Sequence, residues 1–530
     1  MPDMLTRLLE GLKGPLNEGL NPIQRGIERE ALRVDADGCI AKTPHPAALG
    51  AKLTHPWITT DYAESLMELV TPVCDSASEV IAFLTDLHHY AVSRLPDGEL
   101  LWPASMPARL PEGSDSVRIA DFGRSHSGRL KYVYRKGLQQ RYGSVMQSIA
   151  GIHYNFSLTE PFLRLLQRLE GAQQRPFAAY RTERYFHLIR QFKRNSWLLL
   201  YLFGASVAVD DSFFADRPAS DRLVPHGRHT LRAEYATSLR MSDIGYQNRV
   251  QAQLRVCFNH LDSYIRTLYR GIDTIWPPYA KMGVKAKGEW QQLSSSILQI
   301  ENEYYSDIRP KRVAKRCQTQ LQALHDHGVE YIEVRCLDID PRLPLGIDET
   351  QVRFLDVFLT WCLLAPGDWI NDEECLTLDD NRARVAAAGR TPALMLSVGG
   401  RHVTLTERAT LLFAEMAAVA ACLDEREEGT PHQEALDDLK VRLNDPTQTA
   451  SGQASEWLVA SGQDLTEIAM AQAREHAAAL GAHVLPAAMQ QRFEEKRRQS
   501  LDALQALEQQ DRGSFDDYVK RYLASARQLS

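Results

Sequence analysis

The segment Gly26 to Val34, GIEREALRV, limits what this chain can build more than any other stretch. Read as a β-strand, its side chains alternate, so Glu28 and Glu30 share one face with Leu32 and Val34 while Ile27 and Ala31 share the other. Two carboxylates two residues apart on one face repel each other. A cation beside them removes that repulsion, and carboxylate oxygens are what hard Mg²⁺ prefers. The competing reading is a solvated edge strand with Arg29 and Arg33 as ion partners.

Three further segments place polar groups in strand-like alternation. In TTDYAESLMELVTP (Thr59 to Pro72) the second half puts Leu66, Glu68 and Val70 on one face, while a helix would group Asp61, Glu64 and Glu68. Either way Glu68 is a carboxylate inside an apolar run, and a buried carboxylate needs a partner or a metal; an exposed helical position is the alternative. In SIAGIHYNFSL (Ser148 to Leu158), Ile152, Tyr154, Phe156 and Leu158 form an apolar face, with Gly151, His153, Asn155 and Ser157 opposite. His153 on that polar face suits a metal ligand as well as a structural role. VEYIEVRCLDID (Val329 to Asp340) follows a predicted helix ending at Gly328 and places Tyr331, Glu333, Arg335 and Leu337 on one face. Glu333 and Arg335 then project side by side, one suited to Mg²⁺ and the other to a phosphate oxygen, or the two belong to a cross-strand salt bridge.

Composition excludes several classes. With 530 residues, 44% hydrophobic and 24% charged, the chain is globular, with one large domain or two to three smaller ones. The net charge of -7 is mild and the basic residues are dispersed, which argues against nucleic-acid binding. The first twenty residues have a short helical pattern (Met4, Leu5, Leu8, Leu9, Leu12) without the features of a signal peptide, so a cytoplasmic location is expected. The most apolar run, Trp197 to Val209, is too short to span a bilayer and predicts a buried helix, not a membrane segment. Eight cysteines are scattered without zinc spacing, consistent with reduced thiols. Gly123 to Leu130 (GRSHSGRL) has P-loop glycine spacing, but Arg129 and Leu130 stand where Lys and Ser/Thr are required, and it is expected to be a flexible loop. GxGxxG and HExxH are both missing, so an ATP site must be built another way.

These segments, together with YRKGLQQRYGSVMQSIAGIHYNFSL, YATSLRMSDIGYQN and QIENEYYSDIRPKR, resemble in order along the chain the glutamate-cysteine ligases of γ-proteobacteria. The resemblance runs from about residue 20 to beyond 365, and in the C-terminal third it rests on length and general pattern. It implies ATP-dependent joining of the L-glutamate γ-carboxylate to the amine of L-cysteine through a γ-glutamyl phosphate, the first step of glutathione synthesis. It also implies an α+β fold: a curved antiparallel sheet forming an active-site funnel, similar to the glutamine synthetase core, over residues 1–365, with a mostly helical region over 366–530 packed on it.

Carried over by motif, the resemblance makes Glu28, Glu30, Glu68, His153 and Glu333 ligands of Mg²⁺, or of Mn²⁺ in its place. Arg335 corresponds to the family arginine facing the transferred phosphoryl group, with Arg135 beside it. Arg240 in YATSLR corresponds to the clamp for the glutamate α-carboxylate, where a bidentate guanidinium suits a planar anion; a surface charge is the alternative. Tyr62, Tyr134, Leu138, Gln147, Tyr246 and Tyr305 match positions around the incoming cysteine. Feedback inhibition by glutathione is a further implication. Two other classes stay open here: a related carboxylate-amine ligase with another amine acceptor, and a metal-binding regulator without catalysis.

Toward the C-terminus, Thr406 to Asp424, His432 to Leu443, Ala454 to Leu480 and Ala487 to Gln509 have helical periodicity, with Asn444 to Gly452 as a polar loop. His325 and His327 are expected to serve as charges at a helix end, not as a metal site.

Overall fold

The computed structural model describes residues 4–245, 250–316 and 318–527. A seven-stranded antiparallel sheet forms its centre. Its strands are β1 (Ile23–Val34), β2 (Ile58–Thr60), β3 (Leu66–Val70), β4 (Leu100–Leu101), β5 (Ile152–Leu158) and, beyond three shorter pairings, two more. Those pairings are a small sheet of β6 (Ala208–Asp210), β7 (Val224–His226) and β8 (Thr230–Arg232), and a hairpin of β9 (Lys285–Ala286) and β10 (Glu289–Trp290). The central sheet is completed by β11 (Ile308–Lys311) and β12 (Tyr331–Leu337), in the order β11-β12-β5-β1-β3-β2, with β4 on the end of β1.

The GIEREALRV segment therefore lies in a central strand, flanked by β5 on one side and β3 on the other, and the edge-strand alternative does not hold. Alternation sends Arg25, Arg29 and Arg33 into the face opposite Glu28 and Glu30, so these arginines are not ion partners of the two glutamates. Arg25 pairs with Asp356 at 2.9 Å, and Arg33 with Glu99 at 2.5 Å. Glu68 lies on strand β3, so the helical alternative for that segment fails. In β12 the register slips between Val334 and Leu337, which bring Tyr154 and Ile152 respectively as partners. This one-residue bulge turns Leu337 toward the core side of Ile152, so it does not share the face of Glu333 and Arg335 as simple alternation predicts.

The core face of the sheet is covered by helices. Helix α1 (Met4–Asn17) buries Leu8, Leu9, Leu12 and Leu16, and α2 (Ala77–Val92) packs across β1 and β3 through Leu84 and Leu87. The helix Glu349–Leu364 lies behind the sheet, where Asp356 accepts a 2.6 Å hydrogen bond from Tyr154 as well as the Arg25 ion pair. The segment Gly123 to Leu130 is not a loop throughout. Ser125 accepts from the Gly128 amide at 3.1 Å and caps α3 (His126–Tyr142), so from His126 onward it is helical. The apolar run from Trp197 is a buried helix only to Phe203, after which Ala208–Asp210 is a strand.

Beyond residue 365 the described residues are mostly helical, with one hairpin, Met395–Val398 and Arg401–Thr404. The single helix expected over 454–480 is two, Ala450–Ser461 and Leu465–Ala482, separated at Gly462 with φ +65. The first of these also takes up the end of the expected polar loop. Two of the terminal helices reach back to the sheet region. Phe493 packs edge-on against Trp57 at 5.7 Å, and Phe515, Tyr518 and Val519 cover Leu130 and Val133 of α3. Among the described residues no helix is long and apolar enough to cross a membrane.

Candidate active site

Strand pairing gathers the charged residues of one sheet face. Glu28 stands opposite His153, Glu30 opposite Glu68, and Glu333 opposite Asn155, so residues from β1, β3, β5 and β12 project together. His153 is the hub: Nδ1 lies 3.2 Å from Glu28 and 3.8 Å from Glu333, and Nε2 lies 3.6 Å from Glu30. Donor atoms of Glu28, Glu68 and His153 all lie within 4.8 Å of one another. Glu30, His153 and Glu333 are buried, while Glu28 and Glu68 are half-buried.

The crowding divides the carboxylates. Burial opposes ionisation at every one of them. At Glu28 the His153 hydrogen bond and the Lys311 charge prevail over burial and over the repulsion of Glu333, and the carboxyl lies below its ordinary range. At Glu333, burial is outweighed by Arg335, Lys311, His153 and Arg309, which hold it well below. Glu68 is driven well above, by burial and then by the charges of Glu28, Asp61 and Glu30. Glu30 is also raised, by burial and Asp61, against the pull of His153, Arg240 and Arg335. A protein alone that forces one carboxyl of a cluster toward protonation while ionising its neighbour is short of positive charge at that point. Glu333 Oε2, moreover, is buried and among the described residues accepts no hydrogen bond, with the Lys311 ammonium at 3.3 Å. Four carboxylates and one imidazole are a donor set that fits a hard divalent cation.

Cations line the adjoining wall. Arg335 donates to Glu333 Oε1 at 3.0 Å, and among the described residues its buried Nε has no partner. Arg135, on α3, donates from Nε to the Asp61 carbonyl at 2.6 Å and from NH1 to the Lys131 carbonyl at 3.1 Å. Arg240 is buried, not a surface charge. Its NH2 donates to the Arg335 carbonyl at 2.7 Å, its NH1 lies 3.7 Å from Asp338, and among the described residues its buried Nε has no partner. Its place depends on Gly151, where a Cβ would stand 2.1 Å from Arg240 NH2. The Gly151 amide also donates to Glu30 Oε2 at 2.7 Å, so one residue sets both a carboxylate and a guanidinium.

These groups open on a cavity that Tyr62, Tyr134, Leu138, Gln147 and Tyr305 also line. Tyr62 is buried with its hydroxyl 3.3 Å from Ser144 Oγ, and Tyr305 donates to Met241 Sδ at 3.0 Å. Tyr246 lies outside the described residues. The same cavity is lined by Arg309, Glu303 and Gln251, which sequence reasoning passed over, and by Asp61, which it had placed only on the helical stripe with Glu64 and Glu68. Arg309 stands opposite Glu333, and Lys311 follows on the same face of β11. The alternation of SDIRPKR held that signal, but Pro310 argues against a strand unless it lies at a sheet edge, where β11 is found. His325 and His327 sit in the last turn of the helix Gln320–His327, away from this cavity.

The family model described as glutamate-cysteine ligase matches residues 11–385. The chain is 47% identical over 528 residues to the glutamate-cysteine ligase of Azotobacter vinelandii, with 99% of each covered. It is 44% identical over 527 residues to that of Hahella chejuensis, again with 99% of each covered. A solved structure of the glutamate-cysteine ligase of Francisella tularensis in complex with AMP is similar with a TM-score of 0.89 and 34% identity, covering 96% of this chain and 99% of that one. A bifunctional glutathione synthetase from Pasteurella multocida shares the fold, with a TM-score of 0.70 at 24% identity over 90% of this chain and 55% of that one.

Proposed function

The chain belongs to the glutamate-cysteine ligase family and forms γ-glutamylcysteine at the expense of ATP, and on that premise we propose how its residues divide the work. The observation that supports the proposal is the meeting of Glu28, Glu30, Glu68, His153 and Glu333 on one sheet face beside Arg335. These five residues hold Mg²⁺, or Mn²⁺ in its place, which when bound neutralises charge on the phosphoryl oxygens of ATP. Arg335, fixed by Glu333, turns its remaining donors to the transferred phosphoryl group, and Arg135 stands beside it. Arg240 grips the α-carboxylate of glutamate with the donors its protein contacts leave free.

A carboxylate does not react with an amine at neutral pH, so the glutamate γ-carboxylate first attacks the terminal phosphorus of ATP. ADP leaves, and γ-glutamyl phosphate remains. The cysteine amine then attacks the acyl carbon, phosphate departs with the former carboxylate oxygen, and the amine loses a proton. Tyr62, Tyr134, Leu138, Gln147 and Tyr305 surround the cysteine and exclude water from the acyl phosphate. In this reading the sheet forms the funnel of a glutamine-synthetase-like core, residues 1–365 are the catalytic part and 366–530 the helical region packed on it, and the protein works in the cytoplasm.

Glutamate carrying ¹⁸O in its γ-carboxylate tests the chemistry. Label must appear in inorganic phosphate with ADP as the nucleotide product; AMP as product, or phosphate free of label, would sink it. Glutathione contains the γ-glutamylcysteine unit and, on the same geometry, occupies the glutamate and cysteine subsites, so its inhibition should be relieved by excess glutamate. Inhibition indifferent to glutamate would require a second site.

A further inference from the structure

We propose that Lys131 is a nucleotide-binding residue whose ammonium holds the β-phosphate of ATP as that phosphate becomes the leaving end of ADP. The proposal rests on the ligase reading above and adds a group to its ATP site. Lys131 and Arg135 lie four residues apart on α3 and so share one helix face, about one turn or 5.4 Å apart along the axis. Arg135 is buried beside the cavity, and Lys131 is open to solvent, so the step from one to the other runs from the site outward. A polyphosphate whose terminal group meets Arg335 and Arg135 would pass Lys131 on its way out.

The ring of Phe122 makes Lys131 distinct from an ordinary surface lysine. Three cations converge on it: Arg135 at 4.6 Å, Lys131 at 5.0 Å and Lys52 at 5.6 Å from the centroid. Lys52 is already bound by both carboxylate oxygens of Glu64, at 2.6 and 2.7 Å. Arg135 is spent in part on two carbonyls, one of them that of Lys131 itself. Lys131 Nζ alone of the three makes no hydrogen bond or ion pair among the described residues. Its side chain reaches solvent yet is surrounded by protein, and that desolvation, then the Arg135 charge, lowers its pKa to about 8, while the charges of Glu68 and Asp61 pull the other way; it stays mostly an ammonium at pH 7, with all three N–H donors available. A compact ammonium of this kind is a point-charge binder of phosphate, and the β-phosphate gains negative charge as the terminal phosphoryl group leaves.

The test measures inhibition by ADP and by AMP, and KM for ATP and glutamate, in the full-length protein with Mg²⁺, for wild type, Lys131→Met and Lys131→Arg. Loss of one charge-assisted hydrogen bond should raise the ADP inhibition constant of Lys131→Met on the order of tenfold, with AMP inhibition and the glutamate KM changed by less than about twofold. Lys131→Arg, which keeps the charge, should recover most of the ADP affinity. Equal weakening of ADP and AMP, or unchanged ADP inhibition, would overturn the assignment. Should Lys131→Met fold poorly, Lys131→Gln against Lys131→Arg gives the same comparison. A wild-type protein that makes no γ-glutamylcysteine would instead defeat the ligase reading, a result separate from either outcome for Lys131.

Discussion

Gly151→Ala is expected to damage glutamate binding while leaving the protein folded. The backbone at Gly151 is not in the left-handed region, so alanine brings no conformational strain of that kind. The difficulty is space: the new Cβ would meet Arg240 NH2 at 2.1 Å, Cζ at 2.4 Å and Nε at 2.7 Å. Ordinary contact begins near 3.4 Å, so the guanidinium must withdraw by about 1.3 Å, enough to cost on the order of a hundredfold where geometry has to be held within an ångström. Its bond to the Arg335 carbonyl and its approach to Asp338 would be lost in the same movement. Steady-state kinetics should show kcat/KM for glutamate down by about a hundredfold with KM for ATP nearly unchanged, and thermal unfolding should show a native-like transition. Arg240→Lys should reproduce the glutamate defect, since lysine cannot form two parallel bonds. A Gly151→Ala enzyme with unaltered glutamate dependence would refute the clamp and the packing argument together.

Three further outcomes are expected. Glu28→Gln keeps an acceptor for Asn155, which donates to Glu28 at 2.8 Å, but removes a charge, so activity should fall by about a hundredfold or more with the unfolding free energy within about 1 kcal/mol; near wild-type turnover at saturating Mg²⁺ would exclude a ligand role. Arg29 is 2% exposed, its Nε and NH1 have no partner among the described residues, and burial lowers it to about 10, so Arg29→Met should unfold at the same or higher urea concentration; a loss above about 3 kcal/mol would show that the buried charge is compensated after all. Asp424 accepts from His432 Nδ1 at 2.7 Å and from the His432 and Gln433 amides at the start of the helix Pro431–Asn444; burial opposes its ionisation, but these hydrogen bonds hold it below the ordinary carboxylate range. A depressed folded pKa means stability that is present above the unfolded value of about 3.9 and lost as pH falls through the folded one, so wild type should exceed Asp424→Asn by about 1 kcal/mol at pH 7, and the gap should close below pH 3; a gap that widened in acid would contradict this.

The charged strands were legible because alternation is a strong local signal. SIAGIHYNFSL separates polar from apolar positions by parity, GIEREALRV sets Glu28 and Glu30 on one parity and Arg29 and Arg33 on the other, and VEYIEVRCLD keeps Glu333 beside Arg335; the observed pairing brings Glu28, Glu30, His153 and Glu333 onto one face. Parity does not say which strands are neighbours or where an extra residue enters. The bulge before Leu337 is therefore invisible in the sequence, although it frees Arg335 from direct pairing while its amide reaches the Asp307 carbonyl at 2.8 Å. Arg309 and Lys311 escaped for a different reason: a four-residue strand containing a proline lacks the length for periodicity to register. The C-terminal helices were legible as helices, but Gly462 and its left-handed φ end one helix where composition alone continues it. Ser125 shows the converse. A stretch rich in Gly and Ser looked like a loop, yet its serine is the N-cap that starts the helix carrying Arg135.

The two faces of β1 explain why this strand can hold a cluster that repels itself. On the core side, Arg25 is bound by Asp356, which also accepts from Tyr154 of β5 at 2.6 Å, so β1, its neighbour and the helix Glu349–Leu364 are fastened at one point. Arg33 is fastened further along by Glu99, by the Thr43 carbonyl at 2.8 Å and by the Glu64 carbonyl at 3.1 Å. These are buried ion pairs and hydrogen bonds, and breaking one by removing a single partner costs about 3–5 kcal/mol, more than the strand could gain by slipping to relieve a pair of partly screened carboxylates. Slipping by one residue would also exchange the faces, sending Glu28 and Glu30 into the apolar layer and Ile27 and Ala31 into the cavity. Register, and with it the spacing of the carboxylates opposite His153 and Glu68, is thus fixed from behind the sheet, by residues that never touch a substrate.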